Sequence, residues 1–110
     1  MSVTDRNVID GMAKSKEGKD LIFLITDHLD WSDEGTHFTA LQDKLNDYFM
    51  FIEDKQYESR YPNEAFENYV IEIHFKYDIP EKCLYFLDVI AKQVKEAKIN
   101  IRIQLAEEHE

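Results

Sequence analysis

Twice along this chain the apolar residues pass from a strand pattern to a three- and four-residue spacing and back again. No other feature constrains the fold as much, because each spacing suits only one kind of backbone. Residues 20–27 hold Leu21, Ile22, Phe23, Leu24 and Ile25 in an unbroken run, apolar on both faces as an inner strand should be. Residues 8–13 read as a shorter strand, and the polar stretch 14–19, with Ser15 and Gly18, turns the two into a hairpin. Phe38, Leu41, Leu45, Tyr48, Phe49 and Ile52 then form the apolar stripe of a helix expected over 33–55. Ser32 is its expected N-cap, with Asp33 and Glu34 complementing the positive end of the helix dipole.

From 68 to 77 the pattern alternates, with Tyr69, Ile71, Ile73, Phe75 and Tyr77 on one face and Val70, Glu72, His74 and Lys76 on the other. Pro80 suits the first turn of a second helix, having no amide hydrogen to leave unsatisfied. Cys83, Phe86, Leu87, Ile90, Val94 and Ala97 line the inner face of that helix, and Asn100 closely follows its end. Ile99, Ile101, Ile103 and Leu105 alternate in a last strand, and 106–110 should fray.

The order β-β-α-β-α-β predicts an α+β fold. Each strand-helix-strand unit returns its second strand parallel by a right-handed crossover, giving a two-layer sandwich with a four-stranded mixed sheet and both helices on one face. Phe38, Leu41, Leu45, Tyr48, Phe49, Ile71, Ile73, Leu87, Ile90, Val94 and Ile101 should be buried between the layers. The 110 residues make one domain, 1–110, with an ordered core at about 7–105. A chain of this length hides about 65% of its unfolded surface, enough for a core without staples.

Charge narrows the functional classes. The formal net charge is -10, from 23 acidic and 13 basic residues, which opposes binding to nucleic acid or an anionic membrane and favours a basic protein partner. The single Cys83 has no internal disulfide partner, which suits a reducing cytoplasm. The longest apolar run is too short to span a bilayer, and the first residues lack the apolar core of a signal peptide. The three glycines are scattered, so no phosphate-cradling loop exists and no cofactor is expected.

Asp27-His28-Leu29-x-Trp31, then Leu41-Gln42-x-Lys44-Leu45-Asn46-x-Tyr48-x-x-Phe51-Ile52, then Tyr61-Pro62 resembles a family of small bacterial proteins known only as a domain of unknown function. The resemblance spans most of the chain, from Val8 to Leu105. It implies a bacterial origin and a compact α+β domain, and it carries no activity onto any residue.

Two places stand out as candidate sites. The acidic corner after the second strand brings Asp27, His28, Asp30, Trp31, Asp33 and His37 close in sequence. Carboxylates and imidazoles of this kind bind zinc, manganese or iron, although the spacing matches no known ligand motif. His28 beside Asp27 or Asp30 would be the acid/base pair of an enzyme. The structural alternative is that these carboxylates cap loop amides and the helix, and that Trp31 closes the end of the core. The second place is the flank of the first helix, where Met50 and Phe51 fall off the apolar stripe and need cover from the 57–61 loop or from another chain. The leading expectation is a non-enzymatic protein-interaction module, immunity-like toward a basic protein or self-associating as a weak homodimer. The alternative is a metal-dependent or small-ligand-binding protein or enzyme built on the corner at 27–37.

Overall fold

The computed structural model describes residues 3–4 and 8–105. The expected fraying of 106–110 and the start of the core at residue 7 lie outside the described residues. The elements are β1 (Gly11–Lys14), β2 (Asp20–Asp27), α1 (Glu34–Glu53), β3 (Asn68–Phe75), α2 (Glu81–Val94) and β4 (Ile99–Leu105), with single 3-10 turns at Gln56–Ser59 and Lys95–Ala97. They form a four-stranded mixed sheet in the order β1-β2-β3-β4. β1 pairs antiparallel with β2, while β2, β3 and β4 run parallel.

The hairpin closes on itself. Ser15 donates its amide to the Asp20 carbonyl at 2.8 Å, and its hydroxyl accepts from the Asp20 amide at 3.1 Å. Gly18 takes a positive φ of 76° at the turn, a conformation that costs a side chain-bearing residue strain. β1 is shorter than the alternation of 8–13 suggests, because Val8 and Ile9 approach the sheet without pairing in it.

Register sorts the side chains between two faces. Leu21, Phe23, Ile25 and Asp27 of β2 stand beside Tyr69, Ile71, Ile73 and Phe75 of β3, and these beside Ile99, Ile101, Ile103 and Leu105 of β4. Both helices cover this face. From α1, Leu41, Leu45, Tyr48 and Ile52 are buried against it, with the Tyr48 and Phe51 rings edge-on to Phe23. From α2, Cys83 and Leu87 are buried, and Phe86 meets Phe38 of α1 edge-to-face at 5.2 Å. Of the residues expected between the layers, Phe38, Phe49, Ile90, Val94 and Ile101 are half-buried and pack against the core from its rim.

Two local expectations are corrected. The N-cap of α1 is Asp33, whose carboxylate accepts from the Thr36 amide at 3.1 Å, because Ser32 is already held by Asp30. Tyr77 lies beyond the end of β3 and is exposed, outside the buried face. The segment after α2 ends on Lys98 in the left-handed conformation (φ 64°), and β4 starts at Ile99 as expected.

The core also holds a lysine. Lys44 is fully buried on α1, with its ammonium 2.9 Å from the Asp10 carboxylate and 2.7 Å from the Val8 carbonyl. Asp10 accepts from the Thr26 amide at 3.0 Å and donates its own amide to the Tyr48 hydroxyl at 2.9 Å, and that hydroxyl donates to the Leu24 carbonyl. Val3, also buried, donates its amide to the Thr26 carbonyl at 2.8 Å. The part of β2 that outruns β1 therefore has both polar groups of Thr26 satisfied by the segment preceding the hairpin. Burial drives the Tyr48 phenol well above its ordinary pKa, so it stays a hydroxyl that both donates and accepts.

Leu45→Ala should cost roughly 2–5 kcal/mol in denaturant unfolding, the usual range for emptying a fully buried leucine site. Lys44→Met should cost roughly 3–5 kcal/mol, because the buried Asp10 carboxylate then loses its cation. Adding Asp10→Asn to Lys44→Met should recover much of that loss in the same measurement, since a neutral amide keeps hydrogen-bonding capacity without the charge.

Candidate functional site at the end of β2

β2 ends at Asp27, on the carboxyl side of the parallel strands, where folds of this kind form crevices. Alternation along β2 turns the Asp27 side chain to the same face as Leu21, Phe23 and Ile25, and it is buried there at 1% exposure. His37, in the first turn of α1, is also 1% exposed. Its Nε2 lies 2.6 Å from Asp27 Oδ2, and its Nδ1 lies 2.9 Å from the Asp30 carbonyl oxygen. Asp27 Oδ1 accepts from the Leu29 amide at 3.1 Å, which closes the turn after the strand.

A carbonyl oxygen only accepts, so Nδ1 of His37 bears a hydrogen and donates to Asp30. A second proton then lies between Nε2 and Asp27, in an imidazolium–carboxylate or an imidazole–carboxylic acid pair. Either way the unit is electrically neutral, which is what burial demands of it. Burial raises the Asp27 carboxyl pKa above its ordinary value of 3.8, against the opposing hydrogen bond and charge of His37.

Aromatic rings roof the pair. Trp31 stacks on His37 with centroids 3.6 Å apart and planes inclined by 16°, and it meets Phe38 and Phe75 at 6.1 and 6.2 Å. Its indole N–H is enclosed without an acceptor among the described residues. Cys83 enters the same neighbourhood from α2: burial first, then the Asp27 carboxylate, push its thiol up to about 12, so it stays protonated and unreactive.

The remaining corner residues stay apart from this unit. Asp30 accepts from the amide and the hydroxyl of Ser32, at 3.1 and 2.6 Å, and these bonds hold its carboxyl below the ordinary carboxylate value. Asp33 caps α1 through the Thr36 amide and hydroxyl and is lowered for the same reason. His28 is exposed and forms no acid/base pair with Asp27 or Asp30. The histidine that meets a carboxylate is His37. Among the described residues no three His, Cys, Asp or Glu side chains converge so as to hold a metal ion.

Of the helix-flank candidates, Met50 is 59% exposed, while Phe51 is half-buried with its ring edge-on to Phe23 at 5.8 Å. Together with Val8, Ile9, Asp47 and Gln56 they line a cavity of about 280 Å³. Val8 and Ile9, from the segment preceding the hairpin, thus come beside Phe51 in this cavity.

His37 was a candidate by type, but its burial, like that of Lys44, was missed in the sequence. His37 falls four residues before Leu41, on the same stripe, and Lys44 falls three after Leu41 and four before Tyr48. That spacing is a signal of burial, overridden in the reading by the polarity of the side chains.

The whole assembly is contained in a recognised sequence family. The chain belongs to DUF6572, a family of unknown function. The family's model matches residues 1–107, which include both strands of the hairpin, the corner and all of β4. The searches of curated proteins and of solved structures gave no match. Among the described residues no helix is long and apolar enough to cross a membrane.

Asp27→Asn should be well tolerated: the amide can accept from Leu29 and donate to a neutral His37 Nε2, copying the protonated acid. Asp27→Ala leaves Nε2 buried without a partner and should cost about 1–3 kcal/mol. The sign of the pH effect follows from the raised carboxyl. Its contribution to stability is complete below the unfolded value of 3.8 and is lost as pH rises through the folded value. Melting curves should therefore show Asp27→Asn gaining on the native protein as pH increases from the acid range. A constant difference across pH would show that the Asp27 carboxyl has the same pKa folded and unfolded, against the raised value.

Proposed function

We propose that this chain is a non-enzymatic module that binds another protein, with the sheet face turned away from the helices as its docking surface. The observation that carries this reading is the closure of the corner. Its carboxylate–imidazole pair is buried and uses both ring nitrogens, which leaves neither nitrogen of His37 free for a substrate. The thiol nearby is held protonated.

The opposite sheet face has the features of a contact surface. Half-buried Ile22 and Leu24 of β2, beside Val70 of β3, which is only 4% exposed, form an apolar centre. Beside it, Glu72 accepts from His74 at 2.6 Å and from Arg102 at 3.2 Å, with Asn100 and Gln104 on the adjacent strand. Those bonds hold the Glu72 carboxyl below its ordinary value, chiefly through His74, so Glu72 stays a carboxylate near neutral pH. An apolar centre with a polar rim is the anatomy of a protein interface. The net charge of -10 steers a basic partner toward the chain, an immunity-like relationship being one form of this.

A photo-crosslinking residue placed at Thr26 or Asn100, on the open face, should give one discrete adduct with a basic protein in the native host. The same residue at Gln42 or Asn46, on the solvent side of α1, should give none. Adducts from the helix positions alone would refute the assignment. A rise in melting temperature with zinc, manganese, magnesium or calcium at well above micromolar levels would instead favour a metal-dependent role for the corner.

A further inference from the structure

We propose that two copies of this chain pair antiparallel through the free edges of their β4 strands, forming one continuous eight-stranded sheet with all four helices on one side. This surface is distinct from the open sheet face and from the Met50 flank of α1.

β4 stands at the edge of the sheet, and among the described residues only β3 pairs with it. Its seven residues, Ile99–Leu105, contain no proline or glycine, and its helix-side row is wholly apolar. Within the strand itself there is no inward charge, proline or shortening to protect the edge from pairing. The opposite edge, β1, has four residues and ends in Lys14, paired with Glu64.

The apolar row surfaces as it runs. Ile99 is buried, Ile101 half-buried, and Ile103 and Leu105 are 37% and 43% exposed. Leu84 of α2 is 44% exposed. At about 100° per residue it lies on the flank of α2 opposite Phe86, which faces α1. That flank is the β4 side, and because α2 runs antiparallel to β4, Leu84 is at the level of the strand's C-terminal end. Among the described residues, Ile103, Leu105 and Leu84 thus form an exposed apolar strip along the open edge.

Register selects the occupant. A two-fold axis at Ile103 sets Ile103 against the partner's Ile103, Ile101 against the partner's Leu105, and Arg102 against the partner's Gln104, with no like charges opposed. An axis at Arg102 would oppose two guanidinium groups.

Sedimentation of the full chain at increasing concentration, in about 0.15 M salt to screen the overall negative charge, tests the proposal. The expected result is a species of twice the 13.1 kDa chain mass. Ile103→Lys should weaken the association about tenfold or more with circular dichroism and melting unchanged, and Met50→Lys should leave it as it is. Under mild oxidation Ile103→Cys should crosslink through its symmetric position far faster than Ile101→Cys or Leu105→Cys, with the buried Cys83 silent. A chain that stays monomeric to millimolar concentration overturns the proposal. So does a dimer that Met50→Lys disrupts and Ile103→Lys does not, or one whose Ile103→Cys variant fails to crosslink. None of these outcomes bears on the adducts expected from Thr26 and Asn100.

Discussion

The parallel pairing of β2 with β3 is the constraint on which the other features depend. Eight residues of each strand are in register, from Asp20 beside Asn68 to Asp27 beside Phe75. Parallel neighbours cannot be joined by a tight turn, so the chain must cross back over the sheet, and α1 is that crossing. The same requirement between β3 and β4 places α2 beside α1. Two crossovers of one hand, stepping in one direction across the sheet, put both helices on one face and leave the other uncovered. The large rings fill the space this creates, with Phe23 beneath Tyr48 and Phe51, and Phe38 against Phe86.

Two polar units pin this arrangement from within. Lys44 joins α1 to the segment before the hairpin through Asp10 and the Val8 carbonyl, and Tyr48 adds a link to β2 through the Leu24 carbonyl. His37 joins the start of α1 to the end of β2 through Asp27, and to the intervening turn through Asp30. Buried pairs of this sort add little net stability over apolar side chains of the same volume. Their strength is directional: slippage of α1 along β2 would leave a buried charge unmatched at both ends of the helix. Among the described residues the indole N–H of Trp31 is a buried side-chain donor without an acceptor, a point where the packing around the corner lacks hydrogen-bonding complementarity.

The outer sheet face and the β4 edge, the two surfaces proposed for contact, differ in kind. The face sets an apolar centre beside the hydrogen bonds of Glu72 to His74 and Arg102, features that suit side-chain recognition. The edge offers main-chain donors and acceptors with an apolar row beside them, features that suit strand addition.

Period and parity were legible in the residues alone. Alternation in 68–77 and the stripe from Phe38 to Ile52 reflect local backbone geometry, and local geometry is a property of neighbouring residues. Hence the element order, the mixed sheet, the single helical face and the burial of Leu41, Leu45, Ile71, Ile73 and Leu87 could be read in advance. The fates of Lys44, His37 and Phe51 could not. Lys44 is buried because Asp10, distant in sequence, arrives to neutralise it, and His37 because the end of β2 presents a carboxylate. Phe51 is covered because Phe23 lies under it. Whether a charged or off-stripe side chain can leave water depends on what the fold brings to meet it, and only the assembled sheet and helices decide that.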